Sequence, residues 1–323
     1  MIFMSVLIGL AFVEVITRVV YSIKLDYQIE MSRYAAQLKT ESRNKEILHR
    51  HIPGKSAKLM GVPVKINSHG FRDNEYSIKK DDGVFRIFLL GDSLTFGWGV
   101  SKEDRFSEHL ERILSQIQAE RGSSTLVQVI NSGIGNFNTQ QEVALFEVEG
   151  KKWQPDLVIL NYFINDAEET AVVRSPKLIS YSYLAMWLWG RVDILRRLSG
   201  GDKNYSDYYR DLYADGRPGW MAVERSLQRL EKMAKADGFQ LVVALLPDLH
   251  TVWPDYAFKD VHEKVKKLAH NSGIDKVFDV APSFEGEDPS GLWVSADDAH
   301  PNERAQEIIA RALAKYLVAE GVF

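Results

Sequence analysis

The chain has 323 residues, 45% hydrophobic and 26% charged, with a formal net charge of −4 at pH 7, a balance that permits a full core and excludes a fibre or a disordered tail. No Lys/Arg stripe interleaved with aromatics is present to track a phosphate backbone, so nucleic acid is not an expected partner. The absence of cysteine excludes disulfides, thiolate metal sites and a cysteine nucleophile, leaving oxygen or amine nucleophiles.

The first segment, Met1 to Ile23 (MIFMSVLIGLAFVEVITRVVYSI), is nearly all apolar and long enough to cross a bilayer as a helix. Glu14 and Arg18 interrupt it four positions apart, on one helical face where they can pair. A basic start and a small-x-small cleavage site are both lacking before Lys24, so residues 1–24 are expected to be an uncleaved membrane anchor. The basic residues Lys24, Arg33, Lys39 and Arg43 follow it, and by the positive-inside rule they would place the rest of the chain in the cytoplasm.

Residues 25–84 read as a polar stalk and N-terminal extension, broken at Pro53-Gly54 and punctuated by NSHGFRD (Asn67 to Asp73) and the turn KKDDG (Lys79 to Gly83). From there to residue 323 short aliphatic runs alternate with helical periodicities. Strands are expected at 85–91, 126–131, 156–163, 240–247 and 276–281, with amphipathic helices near 104–120, 139–150, 221–237, 256–272 and 302–319. This pattern predicts an α/β protein: a three-layer α/β/α sandwich around a parallel five-stranded sheet of flavodoxin-like order. An aromatic-rich insertion at 167–220 departs from the alternation, and reads either as a lid or acyl-binding wall over the sheet's active edge or as packed core.

In such sheets the chemistry lies beyond the carboxyl ends of the strands. After the first strand comes Gly91-Asp92-Ser93-Leu94, a hydroxyl at a strand-to-helix turn where free N–H groups favour developing negative charge; serine at a turn is also a common helix cap. Asn131 to Thr139 (NSGIGNFNT) follows the second strand, where a Gly-rich turn can aim N–H groups at an oxyanion. Asn165 follows the third. Before the last helix stands Asp297-Asp298-Ala299-His300-Pro301, in which Asp297 can accept from His300 Nδ1 and leave Nε2 as a base toward Ser93. Capping by Asp297 or Asp298 is the structural alternative.

Taken together these blocks resemble the SGNH/GDSL hydrolase superfamily, over roughly residues 85–323. NSHGFRD followed by FRIFLLGDSLTFGWGV, behind an apolar N-terminus, is similar to bacterial membrane-attached members that act on acyl groups of cell-surface glycans or lipids. The resemblance implies Ser93 as nucleophile, Asp297 and His300 as its triad partners, and an oxyanion hole from the Ser93 N–H, Gly135 or Asn136, and the Asn165 amide. It also implies an inner-membrane protein with its catalytic domain in the periplasm or outside, against the positive-inside reading, so orientation stays open. Two positions depart from the family pattern: Phe163 stands where glycine precedes the Asn-Asp pair, and ungapped spacing from Asn131 puts Asn136 where the second-block glycine belongs. Asp92 and Asp166 are expected to be structural.

The expected activity is that of a serine esterase working through an acyl-enzyme on an acylated, including acetylated, glycan or lipid. An O-acyltransferase using the same residues and a catalytically silent glycan- or lipid-binding protein are the other readings. No cofactor is implied, and His49, His51, His250, His262 and His270 lack metal-ligand spacing.

Overall fold

The computed structural model describes residues 2–170, 177–198, 204–252, 254–296 and 298–323. Helices α1 (Ile2–Ile23) and α2 (Tyr27–Leu38) lead into two small antiparallel pairs, β1 (Lys39–Glu41) with β2 (His49–His51) and β3 (Ser56–Leu59) with β4 (Val62–Lys65). The main domain runs β5 (Val84–Leu90), α3 (Ser93–Phe96), α4 (Phe106–Glu120), β6 (Leu126–Asn131), α5 (Thr139–Val148), β7 (Leu157–Tyr162), α6 (Tyr183–Leu198), α7 (Tyr205–Leu212) and α8 (Pro218–Asp237). It closes with β8 (Gln240–Leu245), α9 (Lys259–Asn271), β9 (Val277–Asp279), the hairpin β10 (Trp293–Ser295) and β11 (Asp298–Pro301), and α10 (Glu303–Ala319).

The sheet order is β6-β5-β7-β8-β9 with every pairing parallel, the flavodoxin-like arrangement expected from the sequence. Side chains alternate along each strand, so Ile87 and Leu89 of β5 join a core with Leu110 and Leu114 of α4 and Ile309 and Leu313 of α10. Phe88 and Leu90 point the other way, into a core with Phe146 of α5, Leu227 of α8 and Val265 of α9. Burial on both faces is why these strands are continuous apolar runs rather than alternating ones.

Residues 25–84 do not form a stalk. Tyr34 and Leu38 make one buried stripe on α2, which packs with Leu59, Val64 and Ile66 against Phe96 and Trp98 of the main domain. Asn67, Phe71 and Arg72 of the NSHGFRD segment are buried as well. Arg72 donates from its guanidinium to the carbonyls of Phe96 (3.2 Å) and Val100 (2.7 Å), and also to Gly97. Asp73 accepts from the Asn131 N–H at 2.8 Å.

Helix α1 has no buried residue and is long and apolar enough to cross a membrane. Its Glu14 pairs with Arg18 at 2.7 Å, as its spacing predicts, and also accepts from Ser182 Oγ and the N–H groups of Tyr183 and Leu184 at 2.8–3.0 Å. The free donors at the start of α6 are thus capped by a carboxylate on α1. Within the insertion Met186 and Tyr213 are buried while Tyr181 and Leu188 are exposed.

Replacing Arg72 with methionine leaves three buried carbonyls of the loop after Ser93 without their donor. The variant is expected to lose about 1–3 kcal/mol of stability, read as a lower urea midpoint at unchanged slope.

Candidate active site

Strand β5 ends at Gly91, and a Cβ there would lie 2.0 Å from Thr95 Oγ1, so only glycine lets the chain fold back this tightly into α3. Asp92 caps the turn, its Oδ1 accepting from the Leu94 N–H at 2.8 Å. Ser93 is therefore the first residue of a helix at the carboxyl end of a central strand, with its own N–H given no acceptor among the described residues.

At the far end of the chain β11 is extended, so Asp298 and His300, two positions apart, point the same way. Ser93 Oγ–H donates to His300 Nε2 at 2.8 Å, and His300 Nδ1–H donates to Asp298 Oδ1 at 2.5 Å. Asp298 Oδ1 also accepts from the His300 backbone N–H (3.1 Å), and its Oδ2 from Trp98 Nε1 (2.8 Å). The carboxylate that meets the imidazole is that of Asp298; the expected partner was Asp297. Nδ1 carries one hydrogen, and with Asp298–Pro301 extended that hydrogen is donated to Asp298. Asp297 itself lies outside the described residues.

The loop after β6 separates the two expected oxyanion donors. The Gly135 N–H is donated to Tyr34 Oη at 3.0 Å, so it is not free for an oxyanion. Asn136, next along, adopts a left-handed conformation (φ +64°), and its N–H has no acceptor among the described residues. Asn165 donates one amide hydrogen to Asp92 Oδ2 at 3.1 Å and keeps a second. The ring of Phe163 packs between the cores on both faces of the sheet.

Residues 89–308 match the model of the GDSL-like Lipase/Acylhydrolase family. The chain belongs to this family. It is accordingly a serine ester hydrolase. Among solved structures, an alpha/beta hydrolase from the metagenome of Lake Arreo is similar at 18% identity and TM-score 0.48, over 73% of this chain and 95% of that one. An acetyl-xylooligosaccharide esterase from Geobacillus Stearmophilus gives 18% and 0.45 (72% and 94%), and the esterase EstA from Pseudoalteromonas sp. 15% and 0.45 (74% and 99%). A search of curated proteins returned no match.

Three members of the site were not picked out from the family motifs: Asp298, Trp98 and Tyr34. Period-two spacing of Asp298 and His300 was the available signal for the first. Trp98 and Tyr34 carry none, since each looks like an ordinary core aromatic.

Burial alone would lower the pKa of His300, but the charge of Asp298 and its hydrogen bond, with a smaller contribution from Asp92, hold it above 6.5. Burial would raise Asp298, and the facing imidazole and the N–H donors outweigh it, keeping the carboxyl below its ordinary value. Asp92 is pushed up by burial, only partly offset by the Leu94 N–H and Asn165. Only the neutral imidazole can take a proton from Ser93, so if activity depends on that transfer kcat/KM is expected to rise with pH through a midpoint above 6.5. Asp298→Asn removes the charge that raises His300 and favours the wrong tautomer. It is expected to lower kcat about 10⁴-fold and to shift that midpoint downward in the pH–rate profile.

Proposed function

We propose that Ser93, His300 and Asp298 form the catalytic triad of this esterase, and that it hydrolyses acyl esters, acetyl included, of lipids or glycans held at a membrane surface. His300 Nε2 takes the proton of Ser93 Oγ as that oxygen bonds to the substrate's carbonyl carbon. The oxyanion so formed is met by the N–H groups of Ser93 and Asn136 and by the second amide hydrogen of Asn165. Collapse breaks the ester bond, the leaving alkoxide takes the proton from His300, and an acyl-serine remains. Water then gives a proton to His300 as its oxygen attacks the acyl carbon; collapse releases the acid and returns the proton to Ser93. The observation that carries the chemistry is the continuous hydrogen-bonded line from Ser93 Oγ through both imidazole nitrogens to a buried carboxylate.

The membrane-surface reading is supported by how closely the anchor adjoins the site. Tyr27 of α2 stands 5.8 Å from His300 between ring centroids, and the few residues from Ile23 to Tyr27 span at most ~14 Å. A bilayer holding α1 therefore holds the triad near its surface.

A fluorophosphonate probe is expected to label the full-length protein and not Ser93→Ala, with hydrolysis of p-nitrophenyl esters lost in parallel. Labelling of Ser93→Ala, or turnover by it within tenfold of wild type, would refute the assignment. Reconstituted into phosphatidylcholine vesicles, the enzyme is expected to cleave an acyl ester carried by a lipid of the same vesicle faster than one presented on separate vesicles. Equal rates would refute the membrane-surface reading alone.

A further inference from the structure

The turn that carries Asn136 is held by the segment upstream of the family-matched region. Gly135 has both its backbone groups occupied: its N–H by Tyr34 Oη and its C=O by the ammonium of Lys39, at 2.5 Å. Tyr34 in turn donates to His51 Nε2 at 2.6 Å, and His51 Nδ1–H donates to the Gly70 carbonyl at 3.0 Å. This sequence of donors fixes which way the Tyr34 hydroxyl points, and so why it can accept from Gly135. A Cβ on Gly135 would lie 2.8 Å from Tyr34 Cε1, so the glycine lets the ring approach. Lys39 Nζ also sits 3.2 Å from His49 Nε2, 3.4 Å from Asn136 Oδ1 and 4.4 Å from the centre of the Tyr34 ring.

The Gly135 carbonyl and the Asn136 N–H are opposite ends of a single amide. A cation on the oxygen draws density from the nitrogen, strengthens the N–H as a donor, and stops the peptide plane from turning. We propose that Lys39 is a positioning residue for ester hydrolysis, orienting and polarising the Gly135–Asn136 peptide so that its N–H meets the oxyanion. The inference rests on the reading of Asn136 as an oxyanion donor. Lys39 touches no reacting atom; its effect passes through one peptide bond, and its positive charge adds to the field where negative charge develops.

The titratable groups around Lys39 are His49 and His51 of β2 and Tyr34 of α2, and no carboxylate among the described residues pairs with it. Burial lowers the Lys39 ammonium to about 7. Burial first, and then the charge of Lys39, push His49 down to about 3, so His49 is neutral and able to accept from the ammonium. Protonated Lys39 is the competent form, so kcat should decline as pH rises through its pKa, opposite in sign to the limb set by His300.

The test compares full-length wild type, Lys39→Met, Lys39→Arg and Ser93→Ala on p-nitrophenyl acetate. Lys39→Met is expected to lose about 10- to 100-fold in kcat, less than or equal to the loss of a whole oxyanion donor, with KM within twofold. Lys39→Arg is expected to recover most of kcat and to lose the alkaline decline, since arginine does not titrate in the range. Wild-type kcat in Lys39→Met, or an alkaline limb unchanged in Lys39→Arg, would overturn the proposal; the second measurement stands even if the methionine variant fails to fold. Activity surviving in Ser93→Ala would instead overturn the assignment of the site on which the proposal rests.

Discussion

A buried negative charge at Asp298 is what the site is organised around. A carboxylate removed from water stays ionised only where donors and an opposing charge replace its hydration. Here three N–H groups do so: the backbone and Nδ1 of His300 and the indole of Trp98. The indole lies 200 positions earlier in the chain, in the loop that leaves the nucleophile helix. The same bond that keeps Asp298 charged therefore clamps β11 to the segment carrying Ser93. Fixing the imidazole at Nδ1 then leaves Nε2 in the acceptor form at the serine.

The segment before residue 85 braces two of the loops on which the site depends. Arg72 holds the three carbonyls that follow α3, Asp73 takes the N–H where β6 ends, and Tyr34 takes the N–H of Gly135. A guanidinium that is fully buried needs such acceptors, and loop carbonyls that cannot reach water need such a donor. Each side thus satisfies the other. The catalytic domain and its upstream extension are consequently one packed unit, with Phe96 and Trp98 sharing a core with Tyr34 and Leu38.

How far the sequence could be read follows from the same packing. The five sheet strands were legible within a few residues because burial on both faces makes them unbroken aliphatic runs, and their parallel pairing followed from the alternation with helices. Ser93, His300, Asn136 and Asn165 stood out because each sits just beyond such a run or before the last helix. The extension reads as a stalk because the buried apolar positions of α2, Ile29, Tyr34 and Leu38, are few in a polar stretch, and those that follow lie in short strands and loops with no helical or alternating period. Between Asp297 and Asp298 the sequence offers two adjacent carboxylates, and nothing in the motif tells them apart; the extended backbone of β11 is what turns Asp298 toward His300. At Gly135 and Asn136 too the sequence offers two adjacent N–H groups, and only the fold shows that a distant tyrosine occupies the first.

The two charges within α1 acquire a physical reason once the fold is known. An unpaired carboxylate on an apolar helix is costly, and an ion pair with Arg18 offsets only part of that cost. Glu14 also accepts from the first two N–H groups of α6 and from Ser182, groups that would otherwise be open at the helix start. The carboxylate and the helix end neutralise each other, and the aromatic insertion is thereby tethered to α1. Tyr27, at the start of α2 a few residues beyond α1, lies against the His300 ring, so α1, the start of α6 and the imidazole are near neighbours.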